Sequence, residues 1–208
     1  MKSLRILITA GPTHEPLDPV RYLGNRSSGR MGAAIAQAAI AAGHQTTIIV
    51  GPVTVAIPSG ADRIDIETAA QMESAVLEQF PHHDLLIMAA AVADFRPKAI
   101  SSGKIGREGS LTIECEPTRD IVAAAAQSKR PNQRVVGFSL ESAGGPDRAK
   151  QKLHRKHLDM IVYNPIETMN SPAIGAVLLY ADGKSESLPI MPKDQFATLL
   201  IARLASLF

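Results

Sequence analysis

Short unbroken apolar runs alternate along this chain with longer stretches whose apolar residues recur at helical spacing, and that alternation predicts strands and helices in turn. Leu4–Ala10, closed by Gly11-Pro12, reads as a buried strand, and the Ala-rich Arg30–Ala42, stopped by Gly43, as a helix. A second strand is predicted at Thr46–Val50, before Gly51-Pro52, and a second helix at Thr68–Gln79 with Thr68 as its N-cap. Leu85–Ala90 gives a third strand, Asp120–Gln127 a helix, Arg134–Phe138 a fourth strand, Pro146–His157 a helix and Met160–Tyr163 a fifth strand. Ala176–Ala181 and Ser185–Ile190, joined by Asp182-Gly183, have the form of a β-hairpin, and Lys193–Leu207 that of a closing helix. Strands that are apolar throughout must be covered on both faces. The expected fold class is therefore α/β: a three-layer, doubly wound, mostly parallel, Rossmann-like sheet with a C-terminal β-hairpin and a flap loop. With no repeat, low-complexity linker or domain break, residues 1–208 read as one domain.

Two connections break the rhythm. Gly11–Gly29 and Ala91–Leu111 are long and polar, and connections of that length inside a compact domain are commonly functional. In an open parallel sheet both would lie at the carboxyl ends of strands, where ligands bind. Composition narrows the class further. Hydrophobic residues are 45% and aromatic residues 4% of the chain, so the core is aliphatic. Cys115 is the single cysteine and cannot form an internal disulfide, the apolar run Leu85–Ala93 is too short for a bilayer, and the N-terminus lacks a signal-like stretch. A cytoplasmic protein without a membrane partner is expected. A net charge of +2 gives no reason to expect nucleic acid.

The candidate chemistry lies in and beside the long connections. Ser27, Ser28, Gly29 and Gly32 open the first helix, where unpaired N–H groups and the helix dipole favour an anion; the same glycines would equally serve close strand–helix packing. Asn25, flanked by Arg21, Arg26 and Arg30, could donate from its amide to a carboxylate or a developing oxyanion, or simply form a turn. The alanines at 89–91 allow a flat ligand close to the backbone, and Asp94 follows as an acceptor for a sugar or base. Lys104 stands between glycines, as on a lid that brings a cation to a phosphate, or as a solvated lysine. Arg148, Lys152 and Lys156 share one helix face, and an anion such as a triphosphate would relieve their repulsion. Asp120 could hold a divalent cation together with phosphates, or act as an acid at a helix start. His82-His83 has poor metal-ligand spacing. A nicotinamide cofactor is disfavoured, because the acid that would take the ribose hydroxyl is absent from Val50-Gly51-Pro52.

The segments ITAGPTHEPLDPVRYLGNRSSGRMG, AAAVADFRP, GKI, PTRDIV, VVGFSLE, KQKLHRKHLDMIVYN and MPKDQFATLLIARL, in this order, resemble the phosphopantothenate–cysteine ligase family of coenzyme A biosynthesis. The resemblance implies that the carboxylate of 4′-phosphopantothenate attacks the α-phosphate of CTP, pyrophosphate leaves, and the amine of L-cysteine then displaces CMP from the acyl-cytidylate. It makes Asn25 and Lys104 the catalytic positions, with Lys104 on a flap. It makes Ala89, Ala90, Asp94, Lys104, Arg119, Asp120, Ile121, Val122, Phe138, Lys152 and Lys156 the nucleotide positions, and Arg21, Asn25 and Ala90 the substrate positions. It further implies Mg²⁺, for which Asp120 is the candidate ligand, no flavin, and a homodimer whose flap reaches toward the neighbouring site. The flap departs from the family's pattern of lysine, any residue, lysine, lysine: here it reads Lys104-Ile105-Gly106-Arg107, one cation fewer. Bifunctional relatives carry a flavin-dependent decarboxylase half that this sequence lacks, so the chain reads as either a stand-alone ligase, with that step expected from a separate protein, or an isolated domain. The alternatives are a nicotinamide-dependent reductase and a non-catalytic nucleotide-binding relative.

Overall fold

The structure, a computed structural model, describes residues 3–141, 145–166 and 171–208. From the N-terminus, β1 (Arg5–Ala10) leads through a small hairpin, β2 (His14–Pro16) and β3 (Tyr22–Gly24), into α1 (Arg30–Ala41). β4 (Gln45–Val50), β5 (Asp62–Asp65), α2 (Ala69–Gln79) and β6 (Leu85–Met88) follow. A second hairpin, β7 (Phe95–Pro97) and β8 (Cys115–Pro117), carries residues 98–114 at its tip. Then come α3 (Ile121–Ser128), β9 (Arg134–Glu141), α4 (Gly145–Arg155), β10 (Met160–Pro165), β11 (Ala173–Tyr180), β12 (Ser185–Pro192) and α5 (Lys193–Leu204).

Eight strands form one sheet in the order β12-β11-β10-β9-β6-β1-β4-β5. The six from β5 to β10 are parallel, and β11 and β12 add an antiparallel ribbon at one edge. Strand order reverses between β1 and β6, the place where chain crossovers diverge to opposite faces and leave a crevice. Alternate side chains of each strand feed the two faces. Ile6, Ile8 and Ala10 pack with Ile35 and Ala39 of α1 and with Phe196 and Leu200 of α5. Leu7, Ile49 and Leu86 pack with Met72 and Val76 of α2, Ala125 of α3 and Leu153 of α4. This is the three-layer, doubly wound fold that the apolar runs predict. Helix ends follow local chemistry. Thr68 caps α2 by accepting from Gln71 N–H while the Gln71 side chain returns to the Thr68 N–H, a reciprocal capping box. Gly43 follows α1 at φ +83°, where L side chains are strained.

The differences from expectation have simple causes. β5 is an additional edge strand whose sequence, DRID, offers one inward apolar residue, Ile64, too few to show a period. The two long connections fold into hairpins whose strands, three residues each, are too short for periodicity to reveal. β6 leaves the ladder at Met88 rather than Ala90, whereas β9 runs on to Glu141 because β10 continues beside it as far as Pro165. The C-terminal hairpin is longer than predicted at both outer ends. α5 stops at Leu204 and tightens into a 3₁₀ turn over Ala205–Leu207. Among the described residues, no helix is long and apolar enough to cross a membrane.

Candidate active site

A cavity of about 820 Å³ opens at the carboxyl ends of the parallel strands, at the switch between β1 and β6. That volume suits a drug-sized ligand, for which sites run from roughly 300 to 1,000 Å³. Its floor exists because β1 and β6 keep pairing beyond their last ladder residues. Thr9 Oγ1 accepts from Ala90 N–H at 3.2 Å, and Ala91 N–H donates to Gly11 O at 2.9 Å. Thr13, fully buried, donates its N–H to Ala91 O at 3.3 Å and accepts from Ala93 N–H at 2.9 Å. Thr118 then donates through its hydroxyl to Ala93 O at 2.5 Å and through its N–H to Asp94 O at 3.0 Å, which brings the start of α3 to the same wall. Ala89, Ala90 and Asp94 line the cavity, as do Arg119, Asp120, Ile121, Val122, Phe138, Lys152 and Lys156. The fold thus gathers eleven of the thirteen sequence-predicted residues, Asn25 included, from five separate segments.

The glycines at α1 divide into the two roles weighed from sequence. A Cβ on Gly32 would stand 2.4 Å from Ala10 Cβ, so this position serves close helix–strand packing. Gly29 is the N-cap at φ +76°, with no side chain capping the helix and no acid in the first turn. The first N–H groups of α1 therefore have neither a side-chain acceptor nor a carboxylate near them, which is the electrostatic state that favours a bound anion.

Asn25 is differently employed from the oxyanion donor considered above. Its amide nitrogen donates to Ala91 O at 3.2 Å and to Val92 O at 2.9 Å. Both N–H bonds are therefore committed to tying the first long connection to the second. The group it can offer a ligand is its carbonyl oxygen, an acceptor suited to an amine or hydroxyl.

The cations around the cavity fall into two sets. Lys152 pairs with Glu141 at 2.5 Å, Lys156 with Asp120 at 2.9 Å, and Arg119 with Glu73 at 2.8 Å. Glu141 is buried: burial pushes its carboxyl up, but hydrogen bonds from Lys152 and Ser139 and the charges of Lys152 and Arg148 more than offset this and hold it below the usual carboxylate range. The repulsion predicted along the basic face of α4 is thus relieved by carboxylates of the chain itself. Arg26, Arg30 and Lys193 also line the cavity, and among the described residues no carboxylate pairs with them. Burial, and then the charge of Arg30, lower the Lys193 ammonium below an ordinary lysine. Lys193 is a site residue that sequence reasoning missed. The signal was available: it is the first residue of α5, where the helix dipole disfavours a cation, so its position calls for another reason.

Arg21 and Lys104 do not line this cavity. Arg21 donates to Ile105 O at 3.1 Å and pairs with Asp18 at 3.3 Å, at the base of the flap. Asp120 is the N-cap of α3, accepting from Ala123 N–H at 3.2 Å with one oxygen while the other takes Lys156. No group of three or more His, Cys, Asp or Glu is placed to hold a metal among the described residues. His83 is a core histidine, bonded to Gln79 O at 2.7 Å and Thr47 Oγ1 at 2.9 Å. The end of β4 offers no acid for a nicotinamide ribose, and a Cβ at Gly51 would lie 1.8 Å from Pro12 O, so no side chain fits there.

The sequence pattern of the DNA/pantothenate metabolism flavoprotein C-terminal domain family matches residues 1–207. The chain is 41% identical over 204 residues to the coenzyme A biosynthesis bifunctional protein CoaBC of Vibrio cholerae serotype O1, covering 95% of this chain and 51% of that protein. It is 49% identical over 166 residues to a cysteine/cysteine sulfinic acid decarboxylase of an unknown prokaryotic organism, covering 78% of this chain and 46% of that protein. The chain spans about half the length of the curated relatives it matches. Its fold superimposes on the crystal structure of the C-terminal domain of CoaBC with a TM-score of 0.85 at 33% identity, covering 98% of this chain and 95% of that one.

Proposed function

Because the chain belongs to the DNA/pantothenate metabolism flavoprotein C-terminal domain family, we propose that it is a CTP-dependent ligase joining 4′-phosphopantothenate to L-cysteine in coenzyme A biosynthesis. The observation that carries this reading is the asymmetry of charge in the cavity. One wall is internally neutralised, and the other, formed by the start of α1 with Arg26, Arg30 and Lys193, has positive charge that no carboxylate pairs with among the described residues. A triphosphate belongs at the second wall, with the base toward Phe138 and α4.

A free carboxylate is a poor acyl donor because an oxide would have to leave. Attack of the phosphopantothenate carboxylate on the α-phosphate expels pyrophosphate and leaves an acyl-cytidylate. The cysteine amine then forms the C–N bond while the C–O bond to CMP breaks and the amine proton is lost. The protein's part is positioning and charge stabilisation. The N–H groups of α1 and the unpaired cations meet the phosphate charge, Lys104 is brought over by the flap, and the Asn25 carbonyl orients the incoming amine. Mg²⁺ would accompany the triphosphate and offset its charge, with Asp120 the candidate carboxylate beside it. Val20, Tyr22, Phe95, Ile100, Leu111 and Ile113 are exposed apolar residues on the two hairpins and the flap, and their coverage in a homodimer fits a flap that serves the neighbouring cavity.

The test is pyrophosphate release by the purified chain with Mg²⁺. Release requiring both CTP and phosphopantothenate, followed by CMP on addition of cysteine, is the expected result. A panel of nucleoside triphosphates fixes the base preference, and absence of release with every triphosphate would overturn the reading.

A further inference from the structure

The Asp18 side chain is completely buried, yet it lies outside the cavity. Its Oδ1 accepts from the N–H groups of Val20 and Arg21, both at 2.8 Å, and this closes its own turn. A turn needs no more than that, and burying the second carboxylate oxygen is costly unless it is paired. Oδ2 reaches across 87 residues of sequence to accept from Ile105 N–H at 3.1 Å. Arg21, paired with the same oxygen at 3.3 Å, donates to the carbonyl of Ile105 at 3.1 Å. Two side chains from the first long connection therefore hold both the N–H and the C=O of one flap residue, the one immediately after Lys104. A second tie, Ser101 N–H to Leu17 O at 2.9 Å, fixes the start of the flap to the same segment. Gly103 and Gly106, on either side of Lys104 and Ile105, have nothing within 4 Å of a Cβ position, so the glycines themselves add no contact to this anchor.

We propose that Asp18 is the positioning residue of the flap: by gripping Ile105 directly and through Arg21, it sets where Lys104 is presented to the nucleotide. The proposal rests on the reading in which Lys104 acts in the nucleotide step. Burial raises the Asp18 carboxyl pKa, but three backbone N–H groups and the Arg21 charge together bring it below the usual range, so the grip is made by a carboxylate at neutral pH.

Two measurements on Asp18→Asn test it. The first is independent of catalysis: limited trypsin cleavage after Arg107, in the flap, should become about tenfold faster or more, the effect of losing a charge-assisted hydrogen bond, while the melting transition stays cooperative. The second is a double-mutant cycle on pyrophosphate release with Asp18→Asn, Lys104→Gln and the pair. If Asp18 acts through Lys104, the double variant is no slower than Lys104→Gln alone. Multiplying effects would make Asp18 a general structural residue and overturn the proposal, as would flap cleavage at the unsubstituted rate. Should Asp18→Asn fail to fold, Ile105→Pro removes the flap N–H from the other end of the bond and is read by the same two measurements. A chain that shows faster flap cleavage but no turnover with any nucleotide would retain the grip and refute the ligase reading alone.

Discussion

The ammonium of Lys152 on α4 donates at 2.5 Å to the carboxylate of Glu141 at the end of β9. Glu141 is buried and also accepts from the Ser139 hydroxyl at 2.9 Å, so the lysine sits on an acid that the fold has removed from water. Lys152 is therefore a structural counter-ion as well as a cavity residue, and its substitution touches both roles.

Removing one partner of such a pair leaves the other uncompensated. Lys152→Met should destabilise the chain by about 2 kcal/mol, less than for a fully buried pair because Arg148 remains near Glu141. Glu141→Gln in the same background should recover most of that loss. Urea unfolding of the two variants checks this; equal stability of the single and double variants would contradict it.

Asn25 is exposed and ties two loops rather than core elements. Asn25→Ala should cost about 1 kcal/mol or less in stability yet reduce turnover by roughly a hundredfold or more, on the scale of a lost positioning group at a reacting centre. Thermal melts and steady-state CMP release are the two measurements.

Lys193 gives a third expectation. Lys193→Gln removes a half-buried cation that no carboxylate pairs with among the described residues, so stability should hold or rise slightly while CTP binding weakens about tenfold, the worth of one charge-assisted contact. Calorimetric titration with CTP reads the second effect directly, and unchanged affinity would place the phosphates elsewhere.

Gly106 occupies the flap position where the resemblance drawn from the sequence leads to the expectation of lysine. A Cβ there meets nothing within 4 Å and its φ is not in the left-handed region, so the glycine answers no steric need. Gly106→Lys should leave the melting temperature unchanged and lower the KM for CTP.

The pH dependence of stability has a workable sign at His83. Burial lowers its pKa from the ordinary 6.5 more than the Gln79 hydrogen bond raises it. The folded chain therefore keeps His83 neutral where the unfolded chain takes up a proton. Its contribution is complete above about pH 6.5 and declines as the pH falls below that value toward the folded pKa. The urea midpoint should drop between pH 7.5 and 5.5, and His83→Gln should flatten that slope; His44, lowered chiefly by burial, contributes in the same direction.

Much of this was legible in the residues. Unbroken apolar runs such as LLIM can be satisfied only between two helical layers, so the layer architecture follows from hydrophobic burial alone. Thr68 before α2, and Gly43 past α1, marked helix ends because capping chemistry is local. The cavity residues were legible only as separate motifs, since nothing in a linear chain brings Ala90, Phe138 and Lys156 to one cavity; the strand reversal between β1 and β6 does that. Charge pairing was decided wholly by the tertiary structure. Lys152 and Lys156 read as an unmet basic face because Glu141 and Asp120 come from other elements, and Lys193 was not placed at the cavity because its neighbours cannot be known before the chain folds. A sequence fixes which residues prefer to be buried or capped; which charges meet, and which are left for a ligand, depends on distances that only the packed fold creates.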